Sequence, residues 1–105
     1  MTLRIYPVML ETIESLRAVT MQIERRDHDL GRQLRRAGSS VVLNLAEGMY
    51  SRGGLRQTRY HSALGSAREV LSCLEAARAW GYVADLDREV VQRLNRVIGT
   101  LVRLV

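Results

Sequence analysis

Apolar residues recur every three or four positions along most of this chain, and that spacing predicts four helices. Ile5, Val8, Met9, Ile13, Leu16, Val19 and Ile23 make one stripe, which places helix 1 over roughly residues 7–26. Pro7 suits the first helical turn, where its missing N–H is not needed. The run RRDHD then breaks the stripe, and Asp27 or Asp29 can cap the next helix by accepting an orphan backbone N–H. Helix 2, roughly Leu30 to Tyr50, carries a main stripe of Leu30, Leu34, Ala37, Val41 and Leu45, with a second stripe of Val42, Ala46 and Met49 beside it. The two stripes cover about half the circumference, more than one packing face needs, so this helix is either central in its bundle or also buried in an oligomer. Gly53 and Gly54 are expected to end it.

Helix 3, roughly Leu55 to Trp80, has a core face of Tyr60, Ala63, Leu64, Ala67, Val70, Leu71, Leu74 and Ala77. Ser62, Gly65, Ser66, Glu69, Cys73 and Ala76 lie on a different face, whose small side chains allow a close approach by another helix. Gly81 is a natural stop. Asp85 is the expected N-cap of helix 4, whose narrower seam is Leu86, Val90, Leu94, Val97, Ile98, Leu101 and Val105. Short connections favour antiparallel neighbours, so the expected fold is all-α: one domain, residues 1–105, folded as an antiparallel up-down-up-down four-helix bundle.

Composition supports that reading. The chain has 105 residues, one proline and no Phe, so its core must be built from Leu, Val, Ile, Ala and Met, which suits helices better than sheets. A lone cysteine, Cys73, excludes an intramolecular disulfide and a multi-cysteine zinc site. No secretory signal is legible at the N-terminus, and no apolar run approaches the ~20 residues of a membrane span, so a cytoplasmic location is expected.

Charge changes the picture more. All sixteen basic residues are Arg against eleven acids, a net charge of +5, and such a field attracts polyanions. GC-rich codons would explain the lack of lysine equally well. Arg25, Arg26, Arg32, Arg35 and Arg36 gather around the start of helix 2; Arg52, Arg56 and Arg59 gather around the turn into helix 3, with Tyr50 and Tyr60 close by. Basic residues interleaved with aromatics can hold a nucleic-acid backbone and stack its bases. The plainer alternative is a solubilising surface with ordinary ion pairs. Candidate nucleic-acid contacts are Arg32, Arg35, Arg36, Arg52, Arg56 and Arg59.

Gln33, Arg36, Ser40, Asn44 and Glu47 step along helix 2 as one polar line, and Ser66 and Glu69 sit on the small-residue face of helix 3. Asn44, Glu47, Ser66 and Glu69 are therefore expected to share a hydrogen-bond network that fixes register between the two helices. Catalysis and metal binding find less support. His28 and His61 have no Glu three residues before them, as a di-metal bundle would require. No serine has a histidine marked as its base, and no phosphate-binding loop is present. No cofactor is expected.

QLRRAGSSVVLNLAEG followed by ALGSAREVLSCLEAARAWGYV resembles the four helix bundle protein family, also called 23S ribosomal RNA intervening-sequence proteins. Gln33, Leu34, Arg35, Arg36, Ala37, Asn44, Ala46, Glu47 and Gly48 match the first half of its pattern; Ala63, Gly65, Ser66, Glu69, Leu74, Gly81 and Tyr82 match the second. Val70 stands where the family usually has Leu, and Thr58, Arg59 and Tyr60 stand where it usually has Phe. The family is similar to the accessory variability proteins of diversity-generating retroelements, which are barrel-like pentamers that bind nucleic acid and a reverse transcriptase. The resemblance thus implies a ring-like homopentamer. Two functions follow as expectations: a non-enzymatic oligomer binding RNA or DNA backbone through arginines, or a pentameric scaffold docking a partner such as a reverse transcriptase.

Overall fold

The computed structural model describes residues 3–105, so the first two positions of the expected domain lie outside the described residues. The chain forms four helices: α1 (Ile5–Arg26), α2 (His28–Met49), α3 (Gly53–Ala79) and α4 (Arg88–Leu104). Each packs along its sequence neighbours and α4 returns to α1, which closes a four-helix bundle of 42 × 24 × 19 Å. Contacts between distant residues give the directions. The start of α1 meets the end of α2 at Leu3 and Met49, and along the α2–α3 seam Gly48 faces Tyr60 while the earlier Ser40 faces the later Ser66, so both pairs run antiparallel.

The apolar stripes turn inward as their spacing requires. Met9, Leu16, Ile23, Leu34, Val41, Leu45, Val70, Leu74, Leu94, Val97 and Leu101 are all buried. Two threonines join them. Thr12 is fully buried, and its hydroxyl donates to the Val8 carbonyl at 2.8 Å, so the helix itself satisfies the group.

Helix ends follow local chemistry, with two departures from the sequence expectation. Asp27 alone joins α1 to α2, and its Oδ1 accepts the Leu30 N–H at 3.0 Å. Gly53 and Gly54 do not lie between helices; α2 stops at Met49 and the glycines form the first turn of α3, where Gly53 takes φ +55°. The cap of α4 is Asp87, whose Oδ1 accepts the Glu89 N–H at 2.9 Å, while Asp85 stands 3.8 Å from Arg78. At the end of α3, Gly81 has φ +80°, the Gly81 N–H bonds the Arg78 carbonyl and the Tyr82 N–H bonds the Ala77 carbonyl, closing a Schellman turn.

That turn delivers Tyr82 to the opposite connection. Its hydroxyl donates to Asp27 Oδ2 at 3.1 Å, its carbonyl accepts from Gln22 at 3.1 Å, and the Arg26 guanidinium lies 5.7 Å from its ring centre. One aspartate therefore caps α2 and anchors the α3–α4 loop. Burial raises the Tyr82 hydroxyl pKa above its usual value of 10.0; the bond to Asp27 and the Asp27 charge raise it further, and Arg26 opposes them.

Two glycines set how closely α2 meets its neighbours. A Cβ on Gly31 would fall 2.9 Å from the Glu24 Cα of α1, and one on Gly48 would fall 2.3 Å from the Tyr60 ring of α3. Gly38 differs: its Cβ would meet only Ile13, at 3.8 Å, beside a groove of about 490 Å³ between α1 and α2.

Gly48→Ala should lower stability by about 1–3 kcal/mol, because the ring cannot yield. Gly38→Ala should raise it by about 0.5–1 kcal/mol through helix propensity. Urea denaturation of both variants checks this opposite pair of signs. A second test is alkaline. The stabilisation from Tyr82 is complete below about pH 10, the ordinary tyrosine value, and disappears as pH rises through the higher folded-state value. The stability gap between wild type and Tyr82→Phe, measured by denaturation across that range, should therefore be constant below it and shrink above it.

Candidate nucleic-acid interface

The inward stripe of α2 fixes what its outer face presents. With Leu34, Val41, Leu45 and Gly48 buried, the positions turned outward at three- and four-residue steps are Arg32, Arg36, Ser39, Leu43 and Glu47. Arg35 and Asn44 flank this line, and Arg59 reaches in from α3. Together with Ser40 they line an open groove of about 550 Å³. Four of the six arginines expected from sequence thus meet in one place.

Their partners are weak or exchangeable. Arg32 lies 3.0 Å from His28 Nε2, Arg35 pairs with Glu24, and Arg59 stands 3.7 Å from Glu47. Arg36 makes no ion pair or hydrogen bond among the described residues. Exposed contacts such as Arg32–His28 and Arg59–Glu47 contribute about 0–1 kcal/mol each, so a polyanion can displace them; Glu24, the partner of Arg35, is half-buried.

The other two expected arginines sit elsewhere. Arg56 is half-buried; its Nε donates to the Gly48 carbonyl at 3.1 Å and Nη2 to the Met49 carbonyl at 3.5 Å. It therefore satisfies the last carbonyls of α2, which have no helical partners, and its charge suits that end of the helix dipole. Arg52 is exposed at the N-cap of α3 and makes no capping bond with its side chain. The neighbouring aromatics divide similarly. Tyr50 is 90% exposed, whereas Tyr60 is in the core against Gly48, so only one tyrosine accompanies the basic turn at the surface. The buried Tyr60 hydroxyl has no hydrogen-bond partner among the described residues; burial raises its pKa and the Arg56 charge partly offsets that.

The polar network between α2 and α3 is smaller than expected and centred differently. Ser40 Oγ and Ser66 Oγ lie 2.7 Å apart, and Asn44 Nδ2 donates to the Ser40 carbonyl at 2.9 Å and to Ser40 Oγ at 3.1 Å. Asn44 and Ser66 therefore communicate through Ser40. Glu47 instead turns to Arg59 at the groove rim, and Glu69 is exposed with no bond to the network among the described residues. A short hydroxyl fits the seam and is satisfied there, whereas a buried carboxylate would lose its hydration without a paired cation. Glu69 acts on another neighbour: with burial as the larger cause, its charge helps raise the pKa of the Cys73 thiol. That buried thiol is a packing group, not a nucleophile.

Sequence reasoning missed Ser39 and Leu43 as lining groups. Leu43 lies outside both apolar stripes of α2, and it is seven residues after Arg36 and eleven after Arg32, so helical spacing alone placed it on their face. Among the described residues, no three His, Cys, Asp or Glu side chains come close enough to hold a metal ion, and no helix is long and apolar enough to cross a membrane.

An all-α four-helix bundle with a cationic groove on one central helix is the class this architecture defines. Residues 1–103 match the profile of the 23S rRNA-intervening sequence protein family, and the chain belongs to that family. No curated protein and no solved structure matches it.

Arg56→Ala should cost about 1 kcal/mol by removing the side-chain donor to the Met49 carbonyl and leaving the Gly48 carbonyl with the Ser51 N–H alone. Arg52→Ala should stay within about 0.5 kcal/mol of wild type. Chemical denaturation of the two single variants separates the structural arginine from the solvated one.

Proposed function

We propose that this protein is a non-enzymatic, oligomeric nucleic-acid-binding protein, and that the groove on α2 holds the phosphate backbone. The observation that carries this reading is the convergence of Arg32, Arg35, Arg36 and Arg59, from two helices, on one open groove that contains a single acid. Guanidinium groups bind phosphate bidentately, and released counterions drive such binding. The family takes its name from intervening sequences of 23S rRNA, which makes RNA the first ligand to try.

Assembly is the second element. A closed homopentamer needs two different patches that fit each other on neighbouring subunits. Large apolar side chains stand in solvent at both ends of α3, Leu55 at 71% and Trp80 at 72% exposure, and Met21 does so on α1. Their burial between copies accounts for their exposure in the protomer, and a ring would repeat the groove and multiply its effective affinity. The same exposed residues favour the other reading, in which the ring is a scaffold that docks a partner enzyme such as a reverse transcriptase in a retroelement. The protein then works in the cytoplasm, where either partner is made.

Arg32→Ala/Arg36→Ala should weaken RNA binding about tenfold or more and flatten its salt dependence by roughly 1.4 log–log units, about 0.7 for each lost contact to a single strand. Fluorescence anisotropy across a salt series measures both. Arg96→Ala/Arg103→Ala on α4 serves as the control and should change neither much. No binding at low salt, or a flat salt response, would refute the reading. Light scattering of the same samples gives the mass in solution, for which a stable monomer would contradict the ring.

A further inference from the structure

The groove contains more than phosphate binding requires. Leu43 is 64% exposed in the middle of the arginines, and Asn44 and Glu47 line the end away from Arg32 and Arg36. The Asn44 amide nitrogen is held by Ser40, and its Oδ1 accepts no hydrogen bond among the described residues. The Glu47 carboxylate is 59% exposed and lies 3.7 Å from Arg59, close enough for partial neutralisation but without a tight bond. One end is thus cationic, the middle apolar and the other end rich in acceptors. A duplex backbone uses only the first of these, because its base faces are stacked and its pairing edges occupied. An unpaired nucleotide uses all three.

Resting on the phosphate-binding reading above, we propose that the α2 groove is a single-strand site that seats one unstacked base, guanine in preference to uracil. The phosphate of that nucleotide lies against Arg36 and the next phosphate of the strand against Arg32, one turn further along α2; the base face lies on Leu43, and the pairing edge meets Glu47 and Asn44. Guanine fits best because its N1–H and N2 amino group are adjacent donors that match the two oxygens of a carboxylate. Uracil presents a single N–H between two carbonyls, which the carboxylate repels.

Anisotropy with the full chain and a short labelled oligouridine tests this, with the central base changed to guanine, hypoxanthine or left as uracil. RNA and DNA versions and an RNA duplex of equal length complete the set. The guanine strand should bind about tenfold more tightly than the uracil strand, with hypoxanthine between them because it lacks the amino group. Glu47→Gln, an exposed and nearly isosteric change, should abolish that preference. Leu43→Ser should weaken every single strand about fivefold and leave the duplex unchanged. Equal binding of strand and duplex, a guanine preference that survives Glu47→Gln, or a Leu43→Ser variant that binds like wild type would overturn the base site. Each of those results leaves the backbone reading standing, whereas failure to bind any nucleic acid removes both.

Discussion

The contact between Gly48 and the Tyr60 ring governs the rest of this structure. The ring occupies the space a side chain on Gly48 would fill, so α2 and α3 approach more closely than larger residues would permit. Two turns along the same seam, that proximity lets Ser40 and Ser66 reach each other directly. Gly31 plays the corresponding part against α1, where the Glu24 backbone passes over it. Held on both sides, α2 has one face left, and the residues on that face are the ones that define the groove. Arg56 closes the arrangement by tying the first turns of α3 to the last carbonyls of α2.

What an arginine does here is decided by what lies within its reach. Arg56 finds the last carbonyls of α2 and becomes part of the scaffold, whereas Arg36 has no partner among the described residues. Arg32 and Arg59 lie between, with exposed partners that a phosphate can replace, and Arg35 pairs with the half-buried Glu24. The net charge of +5 makes a positive field around the whole molecule, and the groove on α2 is where four of the arginines converge.

Much of this was legible in the sequence, because helical periodicity reports burial directly. Most core positions of the four helices and the Gly81 stop follow from spacing and from single-residue chemistry, and the structure chooses Asp27 of the two aspartates that could cap α2. Features that depend on distance between helices were not legible. Asp85 and Asp87 are equivalent as caps until the loop geometry chooses Asp87. Glu69 and Ser66 share a helix face in sequence, yet only the hydroxyl lies at the seam. Tyr60 stands in the sequence both on the core face of helix 3 and beside the arginines, and the space left by Gly48 is what lets its ring take the core position. The second stripe of α2, Val42, Ala46 and Met49, left open a central place in the bundle or an oligomer face; all three are half-buried within the protomer, with Met49 meeting Leu3.

The central claim is that ligand binding is confined to the outer face of α2 and the adjoining Arg59. Nuclear magnetic resonance of the arginine Nε–H groups, recorded as single-stranded RNA is added, tests it residue by residue. The signals of Arg32, Arg35, Arg36 and Arg59 should move together and saturate at one RNA concentration, while those of Arg88, Arg96 and Arg103 on α4 stay in place. Shifts that are largest on α4, or uniform over all sixteen arginines, would contradict the account.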